Sequence, residues 1–273
     1  MTADVKPSLR MLHLELDAPS LARFARLEHL PLDRVDTGYL VHHGLRALFG
    51  DLGPQPFAVD PGMAPGVSGD RRIVVLGYGQ HGVAALRAHA DAFAAPAIHA
   101  ACAWERAADK ALPVFPSGTV VDVAVRVCPT VRAAKAMVVN RVDVGRRSCR
   151  AGDEIDAFVA RCAAVDPDGR GDAQLDRAEV YGDWLRAQLE RHGGARLVGQ
   201  SRMTAYHLER RFRRTQAGDG GERQGRAPVL PDAVLAGRLE VSDSAAFTAL
   251  LARGIGRHRA FGYGMVLLRP ARS

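Results

Sequence analysis

Cysteine is scarce and badly spaced for chemistry. Cys102, Cys128, Cys149 and Cys162 form no C-x-x-C pair and no regular pattern, which excludes a zinc knuckle or a disulfide framework and fits the reducing cytoplasm. Long apolar runs are missing too. None approaches the ~18 residues of a membrane span, and the opening stretch MTADVKPSLR has no apolar segment of a secretory signal. The expectation is a cytoplasmic protein with no membrane partner. Lysine is nearly absent: Lys6, Lys110 and Lys135 are the only three, so arginine carries the net charge of +7.

What is present is concentrated. Residues 196–226 hold eight arginines against Glu209, Asp219 and Glu222, and residues 253–273 hold five arginines and no acid. Each segment is +5, which leaves −3 for the rest of the chain. A genome rich in G and C explains arginine over lysine, but not this clustering. A cationic footprint confined to the C-terminal third points to a phosphate-rich partner.

Two glycine runs raise the question of a nucleotide cofactor. Gly77, Gly79 and Gly82 have G-x-G-x-x-G spacing between a strand and a helix, but the long second strand and its terminal acid are missing. A tight strand-to-helix turn accounts for them. In RGIGRHRAFGYGMVLLRP, residues 253–270, the glycines follow a helix and lead into a strand, the reverse of the order that puts a pyrophosphate on a helix N-terminus. No cofactor is expected. Nor is a metal: the loop from Asp166 has Arg170 and Arg177 where a calcium loop needs oxygen ligands, and DEID at 153–156 reads as a solvated turn and helix cap.

Hydrophobic periodicity divides the chain into two passes, each in the order βαββαβ. The first takes strands at 9–17, PFAVD, RRIVVLGYG and AIHAACAWE, with helices at 36–51 and HGVAALRAHADAF. The second takes strands TVVDVAVRVCPTVR, RLVGQSRMTAYHLERRF, VLAGRLEVS and AFGYGMVLLRP, with helices DRAEVYGDWLRAQLERHGG and DSAAFTALLARG. Between them, KALPVFPSG reads as a boundary. The predicted fold class is α+β, with tandem ferredoxin-like domains at 1–112 and 117–273.

The candidate chemistry lies on the helix DTGYLVHHGLRALFGD. Val41, Leu45, Leu48 and Leu52 form its core stripe, while Tyr39, His42 and Arg46 share a polar face at i, i+3 and i+7. An imidazole near its pKa can take a proton from a ribose 2′-hydroxyl, and a phenol or guanidinium can stabilise charge on a phosphorane.

The segment GRLEVSDSAAFTALLARGIGRHRAFGYGMVLLRP resembles the signature of the CasE family, the CRISPR RNA-processing endoribonucleases of type I-E systems. An L-x-V-x-D strand at Leu239–Asp243 leads to a helix. The glycine loop follows at Gly254, Ile255, Gly256, Arg259, Ala260, Phe261, Gly262 and Gly264. The family's Y-x-x-H-x-x-L helix is matched by Tyr39, His42 and Leu45, and its N-P-x-x-R strand end by CPTVR, with Cys128 in place of Asn. The resemblance implies His42 as catalytic histidine and Tyr39 as its partner. Arg46 is the nearest cation where some relatives place a lysine. It implies metal-independent cleavage of precursor CRISPR RNA at the 3′ base of the repeat hairpin, giving a 2′,3′-cyclic phosphate and a 5′-hydroxyl. The implied partners are the crRNA hairpin and the other Cascade subunits, with target DNA met only through that complex. A non-catalytic crRNA-binding scaffold of the same fold is the alternative. The expected RNA contacts are Arg210, Arg211, Arg213 and Arg214 on a central hairpin, and Arg146, Arg147 and Arg150 on an inserted segment. In the glycine loop, Arg257, His258 and Arg259 are expected to meet phosphates where Gly254 and Gly256 bring the backbone close.

Overall fold

The computed structural model describes residues 8–32, 36–59, 72–141, 145–165, 175–210 and 229–271; the side chains of 139–141, 145–147 and 210 are outside that description. In β1 (Arg10–Asp17), Leu12, Leu14 and Leu16 are fully buried at every second position, the signature of a strand with one face on a core. Asp17 then caps α1 (Ala18–Leu27), accepting a hydrogen bond from the Ser20 amide at 2.9 Å. This helix was not expected from the sequence. It follows the strand with no intervening turn, and Pro19 in its first turn pre-sets the backbone angle.

The first unit continues with α2 (Thr37–Phe49), β2 (Phe57–Val59), β3 (Arg72–Gly79), α3 (Val83–Phe93), the single turn α4 (Pro96–His99) and β4 (Ala108–Ala111). Its antiparallel sheet has the order β2-β3-β1-β4. The fourth strand corrects the sequence reading. Residues 97–105 are not a strand, because Pro96 starts a helical turn there. The edge position belongs to Ala108–Ala111, which pairs with β1 and runs into the first two residues of the segment read as a linker.

The second unit starts with β5 (Val120–Val127), followed by an insertion. It comprises β6 (Thr130–Arg132), the hairpin β7 (Met137–Arg141) and β8 (Gly145–Cys149), β9 (Glu154–Asp156) and α5 (Ala157–Val165). Then come α6 (Arg177–His192), β10 (Ala195–Arg210), β11 (Val229–Val241), α7 (Ser244–Arg253) and β12 (Val266–Pro270). The main sheet has the order β10-β11-β5-β12. Counting only the sheet strands of each unit, both orders read second-third-first-fourth, the ferredoxin-like arrangement. The last strand is shorter than AFGYGMVLLRP suggests, because Gly262 and Gly264 have φ of 79° and 82° and turn the chain before Val266. Among the described residues no helix is long and apolar enough to cross a membrane.

The two sheets are joined through their cores. Tyr78 of β3 is buried with the second unit's hydrophobic cluster and donates its hydroxyl to the Val266 carbonyl at 2.7 Å. In the second sheet, Arg126 of β5 donates to both oxygens of Asp232 on β11, and Tyr263 adds a hydrogen bond at 2.6 Å. Burial alone would raise the Asp232 pKa; the hydrogen bonds and charge of Arg126 take it below the ordinary carboxylate value. The pairing therefore stabilises the fold above about pH 4 and is lost as acid protonates the carboxyl. Asp232→Ala should cost about 3 kcal/mol, the lower end for a broken buried pair, because Arg126 keeps some exposure and Glu209 lies 3.5 Å away. Urea denaturation checks this.

Candidate active site

The first site is built on α2. Asp36 caps it by accepting from the Tyr39 amide at 2.8 Å, and Val41, Leu45 and Leu48 bury one face, while Leu52, beyond the helix end, packs against the same core. The half-buried His42 lies off that stripe, at the edge of the buried face. Its pKa is lowered from the ordinary 6.5, first by burial and then by the charges of Arg46 and His43, so the ring is neutral at pH 7. His43 has a different environment: it stacks on Phe24 of α1 at 5.6 Å, with Nε2 4.0 Å from Glu28. Arg46 pairs with Asp51 and donates to the Gly50 carbonyl at 3.3 Å, so two groups of its own chain already engage it.

Tyr39 joins this helix to the C-terminal glycine loop. Its ring stacks on Phe261 with centroids 5.5 Å apart. The contact is close enough to need a glycine next door, since a Cβ on Gly38 would lie 2.1 Å from the Phe261 carbonyl oxygen. The two segments that carry the motif resemblance therefore touch.

The loop holds three of the expected RNA contacts in internal packing. Gly254 is buried, and Gly256 is half-buried against Trp184, where a Cβ would come within 2.9 Å of the indole. These glycines serve packing within the protein. His258 is buried, with only 1% of its side chain exposed, and its Nε2 lies 2.7 Å from Glu154 Oε1. Arg257 is exposed and Arg259 is half-buried, donating to the Arg253 carbonyl at 2.6 Å. Together with Gln55, Arg132, Glu154 and Phe261 they line an open polar cleft of about 560 Å³.

The sequence reading missed Glu154 and Arg132. Glu154 falls in DEID, which is not a solvated turn: Asp156 is 8% exposed, binds Arg177 at 2.9 Å and accepts from the Tyr181 hydroxyl. Arg132 is the arginine of CPTVR; it donates to the Gly152 carbonyl at 2.7 Å. Arg210 ends β10 opposite Val229, whereas Arg211, Arg213 and Arg214 lie outside the described residues. Arg146 and Arg147 are placed on β8 by their backbone alone, and Arg150 is exposed.

The other glycine run is also explained. Asp109 of β4 accepts from the Val83 amide at 2.8 Å and pairs with Arg10. A carboxylate of the chain itself occupies the N-terminus of α3, where a cofactor phosphate would sit. Among the described residues, His207, Glu209 and Asp232 bring three possible metal ligands within 4.8 Å. Arg126 already holds Asp232, the buried member of the three.

Fold and site define a tandem ferredoxin-like protein whose second helix is docked on its C-terminal glycine-rich loop. The chain belongs to the family of CRISPR associated proteins, whose model matches residues 11–270. It is similar to a CRISPR endoribonuclease Cse3 bound to a 19-nucleotide RNA, with 18% identity and a TM-score of 0.57 over 96% of this chain and all of that one. It is also similar to Thermus thermophilus Cse3 bound to an RNA representing a pre-cleavage complex, at 18% identity and a TM-score of 0.52 over the same shares. At such identity the likeness is one of fold. No curated protein matches the chain. The family expectation read from Leu239–Gly264 is borne out, as is the ferredoxin-like class.

Proposed function

We propose that this protein is a metal-independent endoribonuclease that cuts precursor CRISPR RNA at the 3′ base of its repeat hairpin. One observation carries the reading: Tyr39, on the helix of His42, is stacked on Phe261 of the glycine loop, which joins a neutral imidazole to the cationic C-terminal unit. Cse3 proteins of the same fold are described as endoribonucleases bound to RNA, which supports it.

In this mechanism His42 takes the proton of the 2′-hydroxyl. The O2′–P bond forms as the P–O5′ bond breaks, and the departing 5′ oxygen gains a proton from Tyr39 or water. Arg46 and the Tyr39 phenol stabilise the charge on the phosphorane. Arg257, Arg259 and Arg210 contact phosphates, with Arg211, Arg213 and Arg214 continuing the same basic run and Arg146, Arg147 and Arg150 contributing from the insertion. A-form RNA hides its bases in a deep, narrow groove, so these cations read shape and phosphate position. The product hairpin stays bound and enters the Cascade surveillance complex.

Cleavage of candidate repeat hairpins in EDTA tests the proposal; tight binding without cleavage would leave a scaffold. The pH profile is a sharper check. The rate should be level near pH 7 and fall as pH drops through a midpoint below 6.5. Arg46→Ala removes a positive neighbour, so it should move that midpoint upward. A single-turnover pH series reads both outcomes; an unmoved midpoint would remove Arg46 from the site.

A further inference from the structure

The proposed chemistry does not use His258, yet this residue is held in a costly way. Its φ is +62°, in the left-handed region that non-glycine residues seldom occupy, and its ring is sealed inside. Glu154 receives it from a fixed position. β9 pairs with β6, placing Glu154 opposite Arg132, and Glu154 Oε1 lies 2.7 Å from both Thr130 Oγ1 and His258 Nε2. Burial would raise the Glu154 pKa, but hydrogen bonds from His258 and Thr130 bring it down to about 2, and the carboxylate stays charged at any working pH.

From His258 the contacts lead to α2. Its carbonyl accepts from the Phe261 amide at 2.8 Å, closing a one-turn helix over Arg259–Phe261. Its ring meets the Phe261 ring edge-on at 5.9 Å. Phe261 in turn supports Tyr39 with its ring and presses its carbonyl against Gly38. The ends of the loop are anchored without this histidine: Gly254 donates to Leu250, Ile255 to Gly264, and Gly264 to Arg126. What the His258–Glu154 contact fixes is the middle turn, the part that touches α2.

We propose that His258 and Glu154 are a positioning pair. The insertion between β5 and α6, through this pair and Phe261, sets the seat of Tyr39 and so the presentation of His42. The catalytic part of this inference rests on the endoribonuclease reading above. The pair acts through the loop, so its effect falls on the rate at saturation, beyond any change in affinity passed on through Arg257 and Arg259.

The test uses the full chain with a cleavable repeat hairpin. His258→Asn suits the left-handed backbone but falls short of Glu154, and Glu154→Ala removes the acceptor. Both should lower the single-turnover rate at saturating enzyme by about 10- to 100-fold while the hairpin Kd stays within about threefold, as a small misplacement of a catalytic group does. Glu154→Gln keeps an oxygen for Thr130 and His258 and should recover most of the rate. A second readout is independent of activity. In fluorotyrosine-labelled protein, the Tyr39 signal, assigned with Tyr39→Phe, should shift in His258→Asn and Glu154→Ala and return in Glu154→Gln. Variants that cut at full speed, or lose rate only through weaker binding, overturn the proposal. So does a Tyr39 signal that does not move. A wild-type protein that never cuts defeats the endoribonuclease reading instead, and the fluorine signal still decides whether the pair seats Tyr39.

Discussion

His42→Ala should lower the single-turnover cleavage rate by about 10²- to 10⁴-fold, the usual contribution of a positioned general base, with hairpin affinity within about twofold. The helix should survive the change. His42 is only half-buried and lies off the stripe formed by Val41, Leu45 and Leu48, and alanine is the best helix former. His43→Ala is the matched control. That ring packs on Phe24 near Glu28, so its loss should lower the melting temperature more than the rate at saturation. Equal rate losses in the two variants would mean that the helix, and not one imidazole, was being measured.

Gly38→Ala has the second large effect, and two opposing terms set its sign. Within an isolated helix the change gains about 1 kcal/mol of propensity. Here the new Cβ would lie 2.1 Å from the Phe261 carbonyl oxygen and 2.7 Å from its carbon. Both are backbone atoms, so no side chain can swing aside. Overpacking of this kind costs about 1–3 kcal/mol, so the net result is neutral to destabilised by about 2 kcal/mol. Because relief requires α2 to move off the loop, the rate should fall by up to about 100-fold, as it does when a catalytic group is displaced by an ångström. Urea midpoints and single-turnover rates on the same preparation read both quantities. A stabilised, fully active Gly38→Ala would show that helix and loop need not touch for cleavage.

Much of this was legible where one residue pattern decides one element. The stripe on α2, the order of the second unit and the helix-to-loop arrangement at Gly254 follow from local chemistry. The elements missed lacked such a pattern. β4, with the sequence ADKA, has no apolar alternation and is a strand because β1 offers it backbone hydrogen bonds. AIHAACAWE has apolar residues enough for a strand, but Pro96 starts a helical turn ahead of it. The site divides in the same way. Tyr39 and His42 share a helix face that spacing reveals. His258 and Glu154 are 104 positions apart, and nothing local distinguishes a buried, paired histidine from the exposed cation that its arginine neighbours suggest.

The central claim is that a neutral imidazole on α2 activates the ribose itself, and the ends of the cut RNA test it most directly. A repeat hairpin incubated with the protein in EDTA should yield a 5′ fragment ending in a 2′,3′-cyclic phosphate and a 3′ fragment beginning with a 5′-hydroxyl. Replacing the attacking 2′-hydroxyl by hydrogen at the scissile position should abolish cleavage while binding persists. Products carrying a 3′-hydroxyl and a 5′-phosphate, or cutting that appears only when a divalent metal is added, would contradict it.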